Sequence, residues 1–169
     1  MMVIADNYQF NFKTALSAFV FDEKSKSSPY FHGVPMKAVD VIAEFEDFYL
    51  FIEIKDYDNP EEFEIPLKAD SQTKGCDHFN WLKNYLKYKF RDSLLYRYAE
   101  DKSDKPIHYL CLLNFDNALN NHMKKELRKE LPVGKASNRW SKKLAESCQV
   151  INEHAWRRNF PAWELTRIS

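Results

Sequence analysis

The sequence has 169 residues and no net charge, because 25 Lys and Arg balance 25 Asp and Glu. Aromatic residues make up 15% of the chain and glycine contributes only 3 residues. This composition is typical of an ordered, packed protein and excludes a disordered or low-complexity one, and the length suits a single domain spanning residues 1–169.

The amino-terminal sequence has no basic region followed by an apolar run, and no apolar stretch approaches membrane-spanning length. We therefore expect a soluble, cytoplasmic protein with no membrane partner. Its three widely spaced cysteines match no disulfide framework or zinc spacing, so we expect reduced thiols.

The charges are unevenly distributed along the chain. Residues 1–75 carry 7 Lys and Arg against 14 Asp and Glu, a net charge of −7, and residues 76–169 carry 18 against 11, a net charge of +7. A basic carboxy-terminal half would suit contacts with nucleic-acid phosphates. The alternative is that both halves simply carry ordinary solvated charges.

Residues 8–23 are predicted to form a helix, because Phe12, Leu16 and Phe19 fall near helical spacing, although the stretch around Phe19 would also suit a strand. The segment 24–35 is a loop by its Ser, Pro and Gly content, and it includes His32.

Residues 36–57 are predicted to form two antiparallel strands joined by a tight turn at Glu46-Asp47. Pairing Phe45 with Phe48 places Asp40 opposite Glu53. Side chains alternate between the faces of a strand, so Asp40, Glu53 and Lys55 should emerge on one face.

Two carboxylates directly opposed within an apolar hairpin repel each other. A divalent cation would remove that repulsion, because hard cations prefer carboxylate and backbone carbonyl oxygens. The neighbouring lysine could then orient a nucleophilic water. This combination predicts a metal-dependent hydrolytic site suited to phosphodiester cleavage.

The spacing Asp40 … Glu53-Ile54-Lys55 resembles the core motif of the PD-(D/E)xK nuclease superfamily, although Val39 stands where that motif has proline. The resemblance covers about 20 residues of the chain. It implies a restriction-endonuclease-like αβββαβ core, in which a mixed central β-sheet is flanked by helices, here with carboxy-terminal additions. It implies Asp40, Glu53 and Lys55 as catalytic residues, and Mg²⁺ or Mn²⁺ bound by Asp40, Glu53 and the Ile54 carbonyl.

The same resemblance allows an acid from the first helix to assist the metal, for which Asp22 and Glu23 are the candidates. It also allows a homodimer. His32, in the loop before the hairpin, is a further candidate for contact with a phosphate. Each of these residues is alternatively an ordinary structural or solvated side chain.

Beyond the hairpin, residues 63–67 are predicted to form a short edge strand and residues 78–100 the longest helix, capped by Asp77. On that helix Lys83, Lys87 and Arg91 recur every fourth residue and could grip a phosphate backbone. The alternative is an ordinary solvated lysine face.

The remaining predicted elements begin with an apolar strand at residues 106–115, parallel to an earlier strand, and a helix at residues 117–131. A basic loop with Arg139 spans residues 134–141, and a strand spans residues 148–151. A short helix capped by Asn152 at residues 152–158 and a terminal edge strand at residues 163–168 follow.

The sequence thus favours an α/β nuclease that acts on nucleic acid, with DNA favoured over RNA. The alternative is a catalytically silent nuclease-like domain that serves as a nucleic-acid-binding or protein-interaction subunit. A small-molecule enzyme lacks support, because no glycine-rich phosphate loop, Cys-His pair or Ser-His-Asp order is present.

Overall fold

The computed structural model describes residues 1–67, 72–134 and 137–168. Residues 135 and 136 of the predicted basic loop therefore lie outside the described ranges. The described chain is a mixed α/β structure, as the sequence predicts, with two β-sheets. No helix within these ranges is both long enough and apolar enough to cross a membrane.

The central sheet has five strands in the order β3-β4-β5-β6-β7. They are β3 (Ser17–Val20), β4 (Val41–Glu44), β5 (Tyr49–Lys55), β6 (Ile107–Leu113) and β7 (Ser147–Ile151). The first three are antiparallel neighbours, and β6 and β7 continue the sheet parallel to β5. The predicted parallel strand at residues 106–115 is confirmed.

The predicted hairpin register is confirmed. Ala43 pairs with Leu50, and the Phe45 amide donates to the Phe48 carbonyl oxygen across the turn. The side chains of β5 therefore alternate as expected. Phe51 faces one hydrophobic core and Ile52 the other.

Two helices cover the face of the central sheet to which Phe51 belongs. Helix α1 (Lys74–Ala99) is capped at its amino terminus by Thr73, whose side chain accepts a hydrogen bond from the Cys76 amide, so the prediction that Asp77 caps it is wrong. Helix α2 (Asn117–Glu130) is capped by Asp116.

The opposite face packs against a second sheet of three strands, in the order β1-β2-β8, and against a short helix α3. These elements are β1 (Met2–Ala5), β2 (Tyr8–Phe12), β8 (Trp163–Arg167) and α3 (Glu153–Asn159). The Asn152 cap of α3 is confirmed, because its side chain accepts from the Ala155 amide. The terminal edge strand is also confirmed, although it pairs with β2 outside the central sheet.

The predicted helix at residues 8–23 is wrong, because this stretch forms β2 and β3. Tyr8, Phe10 and Phe12 alternate with Gln9 and Asn11, and the three aromatic side chains are buried. Strict alternation is the period of a strand and outweighs the looser helical spacing. Strands thus stand where the predicted αβββαβ order begins with a helix.

The predicted edge strand at residues 63–67 is also wrong. Pro60–Glu62 form a 3₁₀ turn, and residues 63–67 are not in a strand. Phe63 instead packs on the rings of Tyr57 and Phe115. Pro66 lacks the amide hydrogen that a strand ladder needs, and Phe63 gains more by covering apolar rings than by edge pairing.

Candidate active site

Glu53 and Lys55 lie at the end of β5, on the face covered by α1. Glu53 is fully buried, and Lys55 Nζ lies 3.9 Å from Glu53 Oε1 with 30% of the Lys55 side chain exposed. Ile54 between them packs into the opposite core. The alternation of β5 therefore places the predicted acid and lysine together, as the sequence predicts.

Asp40 immediately precedes β4 and reaches across to β5. Its Oδ2 accepts a hydrogen bond of 2.7 Å from the Ile54 amide, and its own carbonyl oxygen accepts one of 2.8 Å from the Phe21 amide on the other side. These two hydrogen bonds thus hold Asp40 between the end of β3 and β5.

Helix α1 fixes the segment that leads into Asp40. Ser93 Oγ accepts from the Val39 amide at 2.9 Å, and Asp92 Oδ2 accepts from the Lys37 amide at 2.9 Å. Lys89 Nζ donates to the Ala38 carbonyl oxygen at 2.5 Å. One turn of the helix therefore positions three consecutive backbone groups beside the site.

Lys89 is the residue at the centre of the site. Its ammonium lies 3.3 Å from Glu53 Oε2, 3.4 Å from Asp22 Oδ2 and 3.7 Å from Asp40 Oδ1. We call Asp22, Asp40 and Glu53 the acid cluster. Only 4% of Lys89 is exposed.

Of the two auxiliary acids suggested by the resemblance, the structure brings one to the site. Asp22 follows β3 and contacts both Lys89 and Lys24, the latter at 2.5 Å. Glu23 instead accepts a hydrogen bond from the Ser25 amide in the following loop.

The carboxylate of Glu53 is poorly satisfied by the described residues. Neither of its oxygens accepts a hydrogen bond of good geometry from them, and Lys89 Nζ contacts Oε2 as an ion pair at 3.3 Å. Burial and the like charge of Asp40 raise the pKa of Glu53 well above its ordinary value, although Lys89 and Lys55 oppose this shift. Burial and the neighbouring Asp40 therefore outweigh the two ammonium groups that approach Glu53.

The other two acids differ from Glu53 in their balance of burial and charge. Burial raises the pKa of Asp40 by more than Lys89 and the Ile54 amide lower it. At Asp22 burial acts in the same direction, but the hydrogen bond from Lys24 and the charge of Lys89 outweigh it, so the pKa of Asp22 is lowered. Asp22 is thus the acid most readily ionised.

Both lysines of the site remain cationic. Burial lowers the pKa of Lys89, but Glu53 and Asp40 outweigh it, so that the pKa is raised. For Lys55 burial likewise acts downward and is outweighed by Glu53 and Tyr85. The Tyr85 ring centroid lies 4.7 Å from Lys55 Nζ and 5.3 Å from Lys89 Nζ, within the range of cation–π attraction.

The site offers oxygen donors to a metal ion, but the Lys89 ammonium competes with such an ion for the same carboxylate oxygens. Within residues 1–67, 72–134 and 137–168, no three His, Cys, Asp or Glu side chains lie close enough together to hold an ion. The orphaned oxygens of Glu53, the Asp40 carboxylate and the Ile54 carbonyl are nevertheless donors of the type that Mg²⁺ and Mn²⁺ prefer.

The residues predicted to contact nucleic acid lie elsewhere. Lys83 and Lys87 form ion pairs with Glu130 of α2 at 3.0 and 2.6 Å, and Arg91 donates to the Glu130 carbonyl oxygen at 3.0 Å. This stripe therefore faces α2 and not the acid cluster, and two of its three charges share one acid.

The remaining two candidates are His32 and Arg139. His32 packs against the rings of Phe21 and Tyr96, with centroids 5.8 and 5.0 Å away, and its Nδ1 accepts from the Val34 amide. Arg139 is exposed in the loop after α2.

Sequence reasoning missed Lys89, although a signal was present. The buried face of α1 includes Leu82 and Leu86 and continues through Lys89, Ser93 and Arg97 at spacings of three and four residues. Polar residues that continue an apolar row on a helix indicate buried partners, because an unpaired buried charge is costly.

No protein-family model matches the sequence, and no curated protein and no solved structure matches the chain. The function of the acid cluster is therefore inferred from its geometry and charge.

Proposed function

We propose that this protein is a metal-dependent phosphodiester hydrolase that acts on nucleic acid, with the acid cluster and Lys55 as its active site. The observation that carries the proposal is the fully buried Glu53 carboxylate, whose two oxygens accept no hydrogen bond from a described residue. A buried carboxylate without such bonds is costly. A divalent cation would satisfy it.

Asp40, Glu53 and the Ile54 carbonyl would hold Mg²⁺ or Mn²⁺, whose chemistry is to polarise a scissile phosphate and to lower the pKa of water. The order of strands and helices from β3 to β6 supports a restriction-endonuclease-like core, apart from the strands that replace its leading helix.

Lys55 has an electrostatic role in this proposal. Its raised pKa keeps the ammonium protonated at neutral pH, so it does not act as a general base. It donates hydrogen bonds instead, which orients a water and offsets the negative charge that develops on the phosphate in the transition state. Its partial exposure leaves it accessible to a substrate.

A specific observation also supports the alternative of a catalytically silent nuclease-like domain. The Lys89 ammonium lies among all three acids at 3.3–3.7 Å, where it supplies positive charge that a metal would otherwise bring. If Lys89 holds this place permanently, the domain keeps the architecture of the site without turnover.

Cleavage and metal binding separate the two functions. Purified protein is incubated with single- and double-stranded DNA and RNA and with Mg²⁺ or Mn²⁺, and Mn²⁺ binding is measured by calorimetry. A nuclease should cleave one of these substrates, and removing one electrostatic group should slow it by about 10²–10³-fold. We therefore expect this loss in Asp40→Asn and Lys55→Met, and full activity in Lys83→Met, a lysine on the far side of α1.

Cleavage that survives in both Asp40→Asn and Lys55→Met would refute the proposed active site. If the wild type neither cleaves nor binds Mn²⁺ while Lys89→Met binds it, the silent domain is correct. Cleavage together with Mn²⁺ binding that Glu53→Gln abolishes would exclude the silent domain.

A further inference from the structure

A basic groove lies on the side of α1 that faces away from the acid cluster. Successive residues of an α-helix are separated by about 100°, so Arg91 projects about 200° from Lys89. The groove has a volume of about 940 Å³ and runs between the carboxy-terminal halves of α1 and α2 and the loop that contains Trp140. A smaller cavity of about 270 Å³ shares Arg91, Leu94 and Leu144 with it.

The described lining of the larger cavity is strongly cationic. Arg91, Lys125, Arg128 and Lys129 stand against the single acid Glu130. The smaller cavity adds Lys105, Lys142 and Lys143, of which Lys105 pairs with Glu44 and Lys143 pairs with Glu146. Glu130 already pairs with Lys83 and Lys87, so it neutralises little of this charge.

Three of these cations are uncompensated. Lys125 and Arg128 make no hydrogen bond or ion pair with any residue that the structure describes, and Arg91 binds only a carbonyl oxygen, which carries no net charge. Lys129, in contrast, pairs with Glu126 at 2.6 Å. On α2, Lys125 and Arg128 are three residues apart and therefore project on the same side.

The floor of the groove is apolar and aromatic. Phe90, Leu131 and Val133 line it, and Trp140, with 42% of its surface exposed, stands at its edge. A ligand that matches this surface carries several negative charges and flat apolar groups. Single-stranded nucleic acid has both, because its unpaired bases are free to stack on an aromatic ring. An acidic peptide matches the charges alone.

We propose that this groove binds single-stranded nucleic acid, with Arg91, Lys125 and Arg128 contacting phosphates and Trp140 stacking on a base. The groove shares no described residue with the acid cluster, so this binding stands whether or not the cluster cleaves.

The test is fluorescence anisotropy with a labelled oligothymidylate of 20 nucleotides, in EDTA so that cleavage does not interfere. The double variant Lys125→Glu/Arg128→Glu should bind at least 10-fold more weakly than the wild type. Losing two phosphate contacts should also flatten the dependence of log Kd on log salt by about 1.4, at about 0.7 per contact for single strands. Trp140→Ala should weaken binding by about 5- to 150-fold, the loss of one stacked base.

Matched controls are available in the same chain. Lys26→Glu/Arg158→Glu makes the same change in net charge at exposed positions outside the groove, and Trp81→Ala removes an exposed tryptophan that stacks on Tyr85. Both should bind as the wild type does, and circular dichroism of every variant establishes that it is folded.

The proposal is overturned if the wild type does not bind at 50 mM salt, or if the control charge pair weakens binding as much as the groove pair does. It is also overturned if polyglutamate or an abasic strand of the same length binds as tightly as the oligonucleotide, since the ligand would then be any acidic chain.

Discussion

Replacing Lys89 by methionine keeps a flexible side chain of similar size but removes the ammonium that lies among Asp22, Asp40 and Glu53. At an effective dielectric constant of about 20, charges 3.3–3.7 Å apart attract by about 4–5 kcal/mol per pair, most of which is offset by the cost of desolvating the ions. Removing one partner of a buried ion pair typically costs about 3–5 kcal/mol. We expect Lys89→Met to lose stability in this range, and to lower Tm by about 6–20 °C.

Urea unfolding at pH 7, followed by circular dichroism, measures this loss. Lys83→Met is the matched control, because its ion pair with Glu130 lies between helices near the surface and should be worth about 1 kcal/mol or less. Combining Lys89→Met with Glu53→Gln should recover part of the loss, since one acid then needs no counter-charge. A Lys89→Met protein as stable as the wild type would refute the ion cluster, and so would a double variant less stable than the sum of the single changes.

Three further predictions concern the acid at the centre of the site, a helix cap and the buried thiols. Because burial and the like charge of Asp40 raise the pKa of Glu53 on folding, the folded state holds a proton that the unfolded state releases, so the stability that Glu53 contributes should fall as pH rises above about 4.5. Glu53→Gln should flatten this dependence, and an unchanged pH dependence in urea titrations from pH 5 to 8 would contradict the sign. Asn152→Ala removes the cap of α3 and the hydrogen bonds from Asn152 Nδ2 to the Phe115 carbonyl oxygen and to Asn117, and should cost at least about 1 kcal/mol by urea unfolding, with no effect expected from exposed Asn159→Ala. Burial raises the pKa of Cys148 to about 12 and that of Cys111 well above its ordinary value. A thiol reagent should therefore modify these two cysteines much more slowly in native protein than in unfolded protein. Equal rates would contradict their burial.

The hairpin that carries Asp40 and Glu53 was predictable because its signals are local. The turn at Glu46-Asp47 fixes the register, and alternation then fixes the face of each side chain. The convergence of Asp40, Glu53 and Lys55 follows from that register, although their catalytic roles remain predictions. The positions of β6, α2 and α3 followed from apolar runs and capping residues in the same way.

The remaining part of the site depends on contacts between distant segments. Asp22 reaches Lys89 across 67 positions of sequence, and Lys89 reaches the Ala38 carbonyl across 51. Local patterns carry no information on which acids a buried lysine meets. The regular spacing of Lys83 and Lys87 likewise predicted an exposed helix face, whereas both lysines form ion pairs with Glu130 of α2.

The error at residues 8–23 has a different cause. A helical spacing happens to span the junction between β2 and β3, at Phe12, Ala15, Leu16 and Phe19. That spacing predicted one long helix where the structure has two short strands. The shorter alternation of Tyr8, Phe10 and Phe12 was the correct signal. Short strands joined by a tight connection are easily merged in this way.

The pairing of β2 with β8 joins residues near both ends of the described chain, with Phe10 opposite Leu165. During translation, all five strands of the central sheet are synthesised before β8, which begins about a dozen residues after the end of β7. The aromatic residues of β2 are synthesised earlier still and lack their β8 partner during this interval. At a synthesis rate of about 5–20 residues per second, one edge of β2 stays unpaired during this interval, and the apolar layer formed by the second sheet stays incomplete. Pairing of β8 with β2 therefore closes this sheet, and local unfolding of β8 alone would leave β2 with an unpaired edge and the Phe10 side chain uncovered.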